Sequence, residues 1–166
     1  NNTAVGFQAL YSGTNTGTAT AVGFQAGYSN NSLYFTALGF QAGYSNTTGA
    51  TTVAVGYQAL YSNTTGADNL AIGGYQTLYN NTTGGYNVAV GRQALQANTT
   101  ASNNTAVGYQ AGYNNTTGQF NVLLGYRAGY RSAGVGSLGD ASVFIGYTAG
   151  YSNQGNNNIG IGNGAM

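Results

Sequence analysis

The sequence predicts an all-β fold, a parallel β-solenoid (β-roll) of about ten turns with about 17 residues in each. Three observations predict it. One short motif recurs along the whole chain, its interval is nearly constant, and the residues ahead of its glycine alternate as a half-buried strand does.

The motif reads Asn-Thr-Ala-Val-Gly, then Phe or Tyr, Gln, Ala, Leu or Gly, and Tyr, followed by a connector of the kind Ser-Asn-Thr-Thr-Gly. Its glycine stands at Gly6, Gly23, Gly39, Gly56, Gly73, Gly91, Gly108, Gly125, Gly146 and Gly162, so the intervals are 17, 16, 17, 17, 18, 17, 17, 21 and 16. The interval of 18 contains the doubled glycine Gly73-Gly74, and the interval of 21 contains an insertion at 131–140. Residues 1–166 therefore form a single repeat array. Because Asn1 falls in phase with the repeat and Met166 closes a repeat core, the array is expected to be a mature product or a slice of a longer fibre.

The first element of each turn is a strand. The residue before the marker glycine is always aliphatic, from Val5, Val22 and Leu38 to Ile145 and Ile161, and two places earlier stand Thr, Val, Leu or Ile. Such alternating β-branched residues suit a strand with one buried face. A helix is disfavoured, because each apolar run is only about five residues long and is bounded by turn residues. The second element expected is a strand over Gln-Ala-Leu/Gly-Tyr, with corners between where Gly49, Gly66, Gly84 and Gly118 take positive φ. Ten such turns, at about 4.8 Å each, make a rod roughly 48 Å long with strands paired in parallel. The aliphatic column is expected inside and the Ala-Gly strip outside, where Ala54, Ala71 and Ala89 would let a second copy approach closely and form a parallel homo-oligomer.

Composition narrows the function. The chain is 42% hydrophobic with a net charge of +1, which is the opposite of a disordered profile. Its only charged side chains are Asp68, Asp140, Arg92, Arg127 and Arg131, and Lys, Glu, His, Cys, Trp and Pro are absent. There is then no general base tuned near neutral pH, no Ser-His-Asp arrangement and no set of metal ligands, so no enzyme activity, cofactor or metal is expected. Asp68 and Asp140 stand about four turns or roughly 19 Å apart, too far for a glycosidase pair. The stretch Gly134-Val135-Gly136-Ser137-Leu138-Gly139 matches Gly-x-Gly-x-x-Gly but lacks the strand, helix and distal acid of a dinucleotide site, and reads as a corner loop. Three arginines cannot neutralise a phosphate backbone, so no nucleic acid partner is expected. No run approaches the roughly 20 apolar residues of a membrane helix, so no membrane insertion is expected.

The segments Asn2-Thr3-Ala4-Val5-Gly6 and Asn104-Thr105-Ala106-Val107-Gly108 carry a family resemblance. They resemble the Asn-Ser-Val-Ala-Ile-Gly motif of trimeric autotransporter adhesin heads, and similar repeats occur in phage and virus tail fibres. The resemblance extends over nearly the whole chain. It implies a left-handed β-roll, a homotrimer, an extracellular location on a cell-surface appendage or virion fibre, and binding of a cell-surface glycan or matrix protein. The repeats here are longer than the family's and add an aromatic residue, Gln and a second Tyr after the glycine.

Two sets of residues are candidate sites. Tyr11, Tyr28, Tyr44, Tyr61, Tyr79, Tyr113, Tyr130 and Tyr151 fall in one column, interrupted by Gln96. One turn apart, they form an aromatic ladder that stiffens the rod or packs an interface, the favoured role, or else serves as a sugar- or surface-binding stripe. Sequons at Asn46, Asn63, Asn81, Asn98 and Asn115 fall in corners where glycans would point outward, although Asn and Thr are also good turn residues. The function expected is a structural or adhesive segment of an extracellular fibre. The alternative is a self-assembling filament joined end to end, whose uncapped strand edges invite pairing. Ice binding ranks lower, because Thr14, Thr16, Thr18 and Thr20 alternate in one turn only.

Overall fold

A computed structural model describes residues 1–13, 17–131 and 137–166. Thr14, Thr16 and the Gly134-Val135-Gly136 part of the insertion lie outside the described residues. The strands are β1 (Thr3–Val5), β2 (Ala19–Val22), β3 (Phe35–Leu38), β4 (Val53–Tyr57), β5 (Leu70–Tyr75), β6 (Val88–Val90), β7 (Thr105–Val107), β8 (Val122–Leu124), β9 (Val143–Ile145) and β10 (Ile159–Ile161). They form one ten-stranded parallel sheet in chain order, and no helix is found among the described residues. The molecule is a β-solenoid.

The repeat alignment is the strand register. Ala4 pairs with Ala21, Val55 with Ile72, Ala89 with Ala106 and Ile145 with Ile161. The doubled glycine appears as a register shift, since after Val55↔Ile72 the next pair is Tyr57↔Tyr75. The marker glycine is required on two counts. Gly23 has φ 138°, and a Cβ there would lie 2.4 Å from the carbonyl oxygen of Gly39 in the next turn. The corner glycines work differently from expectation. Gly49, Gly66, Gly84 and Gly118 do not take positive φ. They are small because backbone crowds them: a Cβ on Gly49 would lie 2.4 Å from the carbonyl oxygen of Gly66.

The second strand predicted in each turn is not formed. Gln-Ala-Leu/Gly-Tyr is a tight double reversal, with φ of 51° at Gln58 and 51° at Leu60, values no strand residue adopts. Its hydrogen bonds run to both neighbouring turns, as when Gln58 donates its backbone N–H to Phe40 and Leu60 donates to Thr77.

The strand also faces the other way from the expectation. Ala21, Ala37, Ala54, Ala71, Ala89 and Ala106 are fully buried, while the aliphatic columns around them lie on the outer face, half-buried or exposed. The reason is width. The inner face looks across a narrow lumen at a second line of alanines, Ala26, Ala42, Ala59, Ala94, Ala111, Ala128 and Ala149, which are also fully buried. Where one column grows, another shrinks. Leu60, Leu78 and Leu95 sit opposite strand alanines, whereas the turns carrying Phe35, Leu123 and Phe144 have Gly43, Gly129 and Gly150 in the leucine position. A Cβ on Gly150 would lie 2.3 Å from the ring of Phe144. Ala54, Ala71 and Ala89 are thus core, and an interface built on them is ruled out by their burial.

Candidate functional site

The described residues enclose no pocket, so what the molecule offers is its surface, organised in columns. The columns form because each turn repeats one cross-section, which places equivalent side chains one strand spacing apart along the rod.

The predicted tyrosine column is a stacked ladder. Ring centroids are 5.4 Å apart for Tyr11–Tyr28, 4.9 Å for Tyr28–Tyr44, 5.1 Å for Tyr44–Tyr61 and 5.2 Å for Tyr61–Tyr79. Past Gln96 the stack resumes with Tyr113–Tyr130 at 5.5 Å and Tyr130–Tyr151 at 5.3 Å. Burial, and then the neighbouring Tyr130 and Tyr109, push the Tyr113 hydroxyl above its ordinary pKa.

A second ladder, which the sequence reading did not single out, runs beside the sheet. Phe7, Phe24, Phe40, Tyr57 and Tyr75 stack at 5.1–5.3 Å, and Tyr109, Tyr126 and Tyr147 stack at 5.0–5.2 Å. Arg92 takes the missing rung, its guanidinium 5.4 Å from the Tyr75 ring centroid. The Phe or Tyr that follows most of the marker glycines was its signal in the sequence.

Between the two aromatic ladders runs a chain of glutamine amides. Gln25 donates to Gln8 at 2.8 Å, Gln41 to Gln25 at 2.9 Å, Gln58 to Gln41 at 3.0 Å and Gln76 to Gln58 at 3.1 Å. At the sixth turn the chain detours. Gln96 donates to Gln76 at 2.8 Å and accepts from Gln93, so the residue that interrupts the tyrosine ladder is recruited into this one. Arg127 ends it by donating Nε–H to Gln110 Oε1 at 2.8 Å.

The five corner asparagines expected to point outward turn inward. Asn46, Asn63, Asn81, Asn98 and Asn115 are fully buried. Asn46 Nδ2 donates to Asn30 Oδ1, Asn63 to Asn46, Asn81 to Asn63 and Asn98 to Asn81, at 2.7–2.8 Å. Each also donates to the carbonyl three residues on, as Asn63 does to Gly66 at 2.9 Å. The amide nitrogen that glycosylation would modify is committed to the ladder. A second buried line contains the Asn of the motif itself. Asn69 Oδ1 accepts the backbone N–H of Asn87, Asn87 that of Asn104, and Asn104 that of Asn121, each at 3.0 Å.

The first asparagine ladder stops at Asn98, whose Oδ1 is buried without a hydrogen-bond partner among the described residues. Asn115 has instead turned to the insertion, accepting from Ser137 Oγ at 2.8 Å. The same Oγ accepts the backbone N–H groups of Thr116, Thr117 and Gly118. Arg131 is fully buried, donates to the carbonyls of Ser137 at 2.8 Å and Asn153 at 2.7 Å, and is held below its usual pKa by burial. Leu138 is buried in the core cluster. The described part of the insertion is therefore built into the coil.

The outer sheet face carries the aliphatic columns. From β4 to β10 it presents Val53/Val55, Leu70/Ile72, Val88/Val90, Thr105/Val107, Val122/Leu124, Val143/Ile145 and Ile159/Ile161, all half-buried or exposed and none charged. Over ten strands at about 4.8 Å the face is roughly 43 Å long. No helix among the described residues is long and apolar enough to cross a membrane. Comparison with family models, curated proteins and solved structures finds no match to this chain.

Proposed function

We propose that the chain is a non-catalytic rod segment of an extracellular fibre, in which copies associate in parallel through the outer sheet face. The observation that carries this reading is the apolar strip of that face, whose column ahead of the marker glycine is aliphatic in every turn from Val5 to Ile161, flanked by the Phe/Tyr ladder. A monomer rarely exposes a contiguous apolar patch above a few hundred Å². The strip is also straight and in register, which suits an identical strip on a second copy better than a globular partner. The occupant is therefore another copy of the chain, brought to its outer valines and isoleucines and away from the buried alanines.

The test is sedimentation of the full chain against a Val55→Lys/Ile72→Lys/Val90→Lys variant. These side chains point outward, so lysine stems lie along the surface and the coil survives, which circular dichroism checks. The wild type is expected to sediment as an oligomer at micromolar concentration and the variant as a single chain. A wild type that sediments as a single chain overturns the reading. Electron microscopy of the same samples separates a short bundled rod from the competing end-to-end filament.

A further inference from the structure

Along most of the coil each column keeps one residue type or class, but the corner ahead of the strand does not, and one of its columns is exposed from the third turn on. Five places before the marker glycine, from the third turn on, stand Tyr34, Thr51, Asp68, Tyr86, Asn103, Phe120, Ala141 and Asn157, all exposed. All eight have positive φ, between 53° and 61°. This is the left-handed region, which Asn and Asp enter readily and bulky aromatics do not. Three turns nevertheless place an aromatic ring there. Tyr34 is 66% exposed, Tyr86 64% and Phe120 59%, and none of them stacks on another ring among the described residues. Each ring adds backbone strain without gaining burial, a combination found where function and not packing selects the residue.

We infer that this corner is a recognition edge for a linear, neutral oligosaccharide, with Tyr34, Tyr86 and Phe120 as stacking platforms for sugar rings. The backbone beneath Tyr86 and Phe120 is tied down. Thr51 donates its N–H to the Leu33 carbonyl, Asp68 to Ala50, Tyr86 to Ala67, Asn103 to Gly85 and Phe120 to Ser102, so the edge from Thr51 to Phe120 is bonded turn by turn to the preceding turn. The rings stand three turns and then two turns apart, about 14 Å and about 10 Å along the rod. Between them the column offers Thr51, Asp68 and Asn103, whose hydroxyl, carboxylate and amide match the hydroxyl groups of a saccharide. Isolated rings on an open edge, separated by polar groups, are a poor anchor for a folded protein, which needs an apolar residue in a desolvated pocket. A chain of sugars presents an apolar ring face and a hydroxyl rim at each unit and can follow the edge. With Asp68 as the column's only charge and no lysine in the chain, an acidic glycan is disfavoured. The edge is distinct from the sheet face and its proposed role does not depend on how the rods associate.

The test uses the full chain and a Tyr34→Asn/Tyr86→Asn/Phe120→Asn variant. Asparagine relieves the strain, so the variant is expected to melt no lower than the wild type, which keeps a loss of binding from being a loss of fold. Both are applied to an array of cellohexaose, chitohexaose and maltohexaose, with sialylated glycans included. The wild type is expected to bind at least one neutral hexasaccharide, and the variant to bind it at least about tenfold more weakly, as loss of three stacking platforms implies. A wild type that binds none of the array overturns the inference. Binding that survives in the variant, or that is confined to the sialylated glycans, also overturns it.

Discussion

The narrow lumen makes a quantitative prediction at the ninth turn. Phe144 fills the position that most turns give to alanine, and Gly150 the position that the fourth, fifth and sixth turns give to Leu60, Leu78 and Leu95. Phe144→Ala removes a fully buried ring and is expected to cost about 3–5 kcal/mol through lost burial and the cavity left behind. Gly150→Leu alone drives a side chain into that ring, since even a Cβ would lie 2.3–2.5 Å from its atoms; overpacking of this kind costs about 1–3 kcal/mol and more where nothing can move. The backbone does not forbid leucine, because Leu60 has φ 51° where Gly150 has 67°. Combining the two changes gives the ninth turn the Ala/Leu pair of the fourth. The pair is two carbons short of Phe/Gly, a deficit of about 1.6 kcal/mol at ~0.8 kcal/mol per methylene. The double variant is therefore expected to be more stable than either single one, a coupling of several kcal/mol in a double-mutant cycle. Urea midpoints of the four proteins, followed by circular dichroism, measure it. Additive losses, or a double variant less stable than Phe144→Ala, would refute the idea that one fixed cross-section sets both columns.

Two further predictions concern the polar interior and the ladder. Asn63→Ala deprives Asn46 Oδ1 and the Gly66 carbonyl of their donor, and is expected to cost about 3 kcal/mol in urea unfolding. Asn98→Ala should cost about 1 kcal/mol less, because the Oδ1 it removes has no partner to lose; equal losses at both sites would mean that the bond Asn63 Oδ1 accepts from Asn81 contributes nothing. Tyr113 has its pKa raised by burial in the folded state, so its contribution to stability is intact below the unfolded value of about 10 and is lost as pH rises through the higher folded value. The urea midpoint is expected to fall above about pH 10, and Tyr113→Phe to lessen that fall, whereas an unchanged alkaline profile in the variant speaks against burial of the hydroxyl.

Fold class, register and the bulge at Gly73-Gly74 were legible in the sequence because the chain aligns with itself, and parallel pairing turns that alignment directly into strand contacts. The direction of the strand was not. Placing Val and Ile inside follows the usual preference of large aliphatic residues for the core, but the lumen of this coil admits little beyond a methyl group on each wall. A signal was present in the exceptions. Where the alanine column becomes Leu123 or Phe144, the leucine column becomes Gly129 or Gly150, a compensation that only facing residues would show. The asparagines misled for a related reason. In a single corner Asn is a turn residue, and only repetition at one strand spacing lets Asn63 bond to Asn46 and Asn81, which makes burial of an amide affordable. A solvent-facing corner would have drifted, as the Tyr34–Thr51–Asp68–Tyr86 column does.

That contrast bears on how a rod of identical turns can recognise anything. The lumen, the amide ladders and the sheet face are each constrained by the turn above and the turn below, so a substitution there is judged by two neighbours at once, as the 2.4 Å approach of Gly39 to a Cβ on Gly23 illustrates. Information that distinguishes one turn from the next is written most freely where the side chain touches neither. The positive-φ corner meets that condition: its backbone is fixed by the ladder of hydrogen bonds while its side chains stand in solvent. The sheet face, whose column ahead of the marker glycine is Val, Leu or Ile in every turn, can specify a copy of itself better than a position along it. As proposed, assembly and recognition fall to different columns of the same coil, and a variant that fails in one is expected to keep the other.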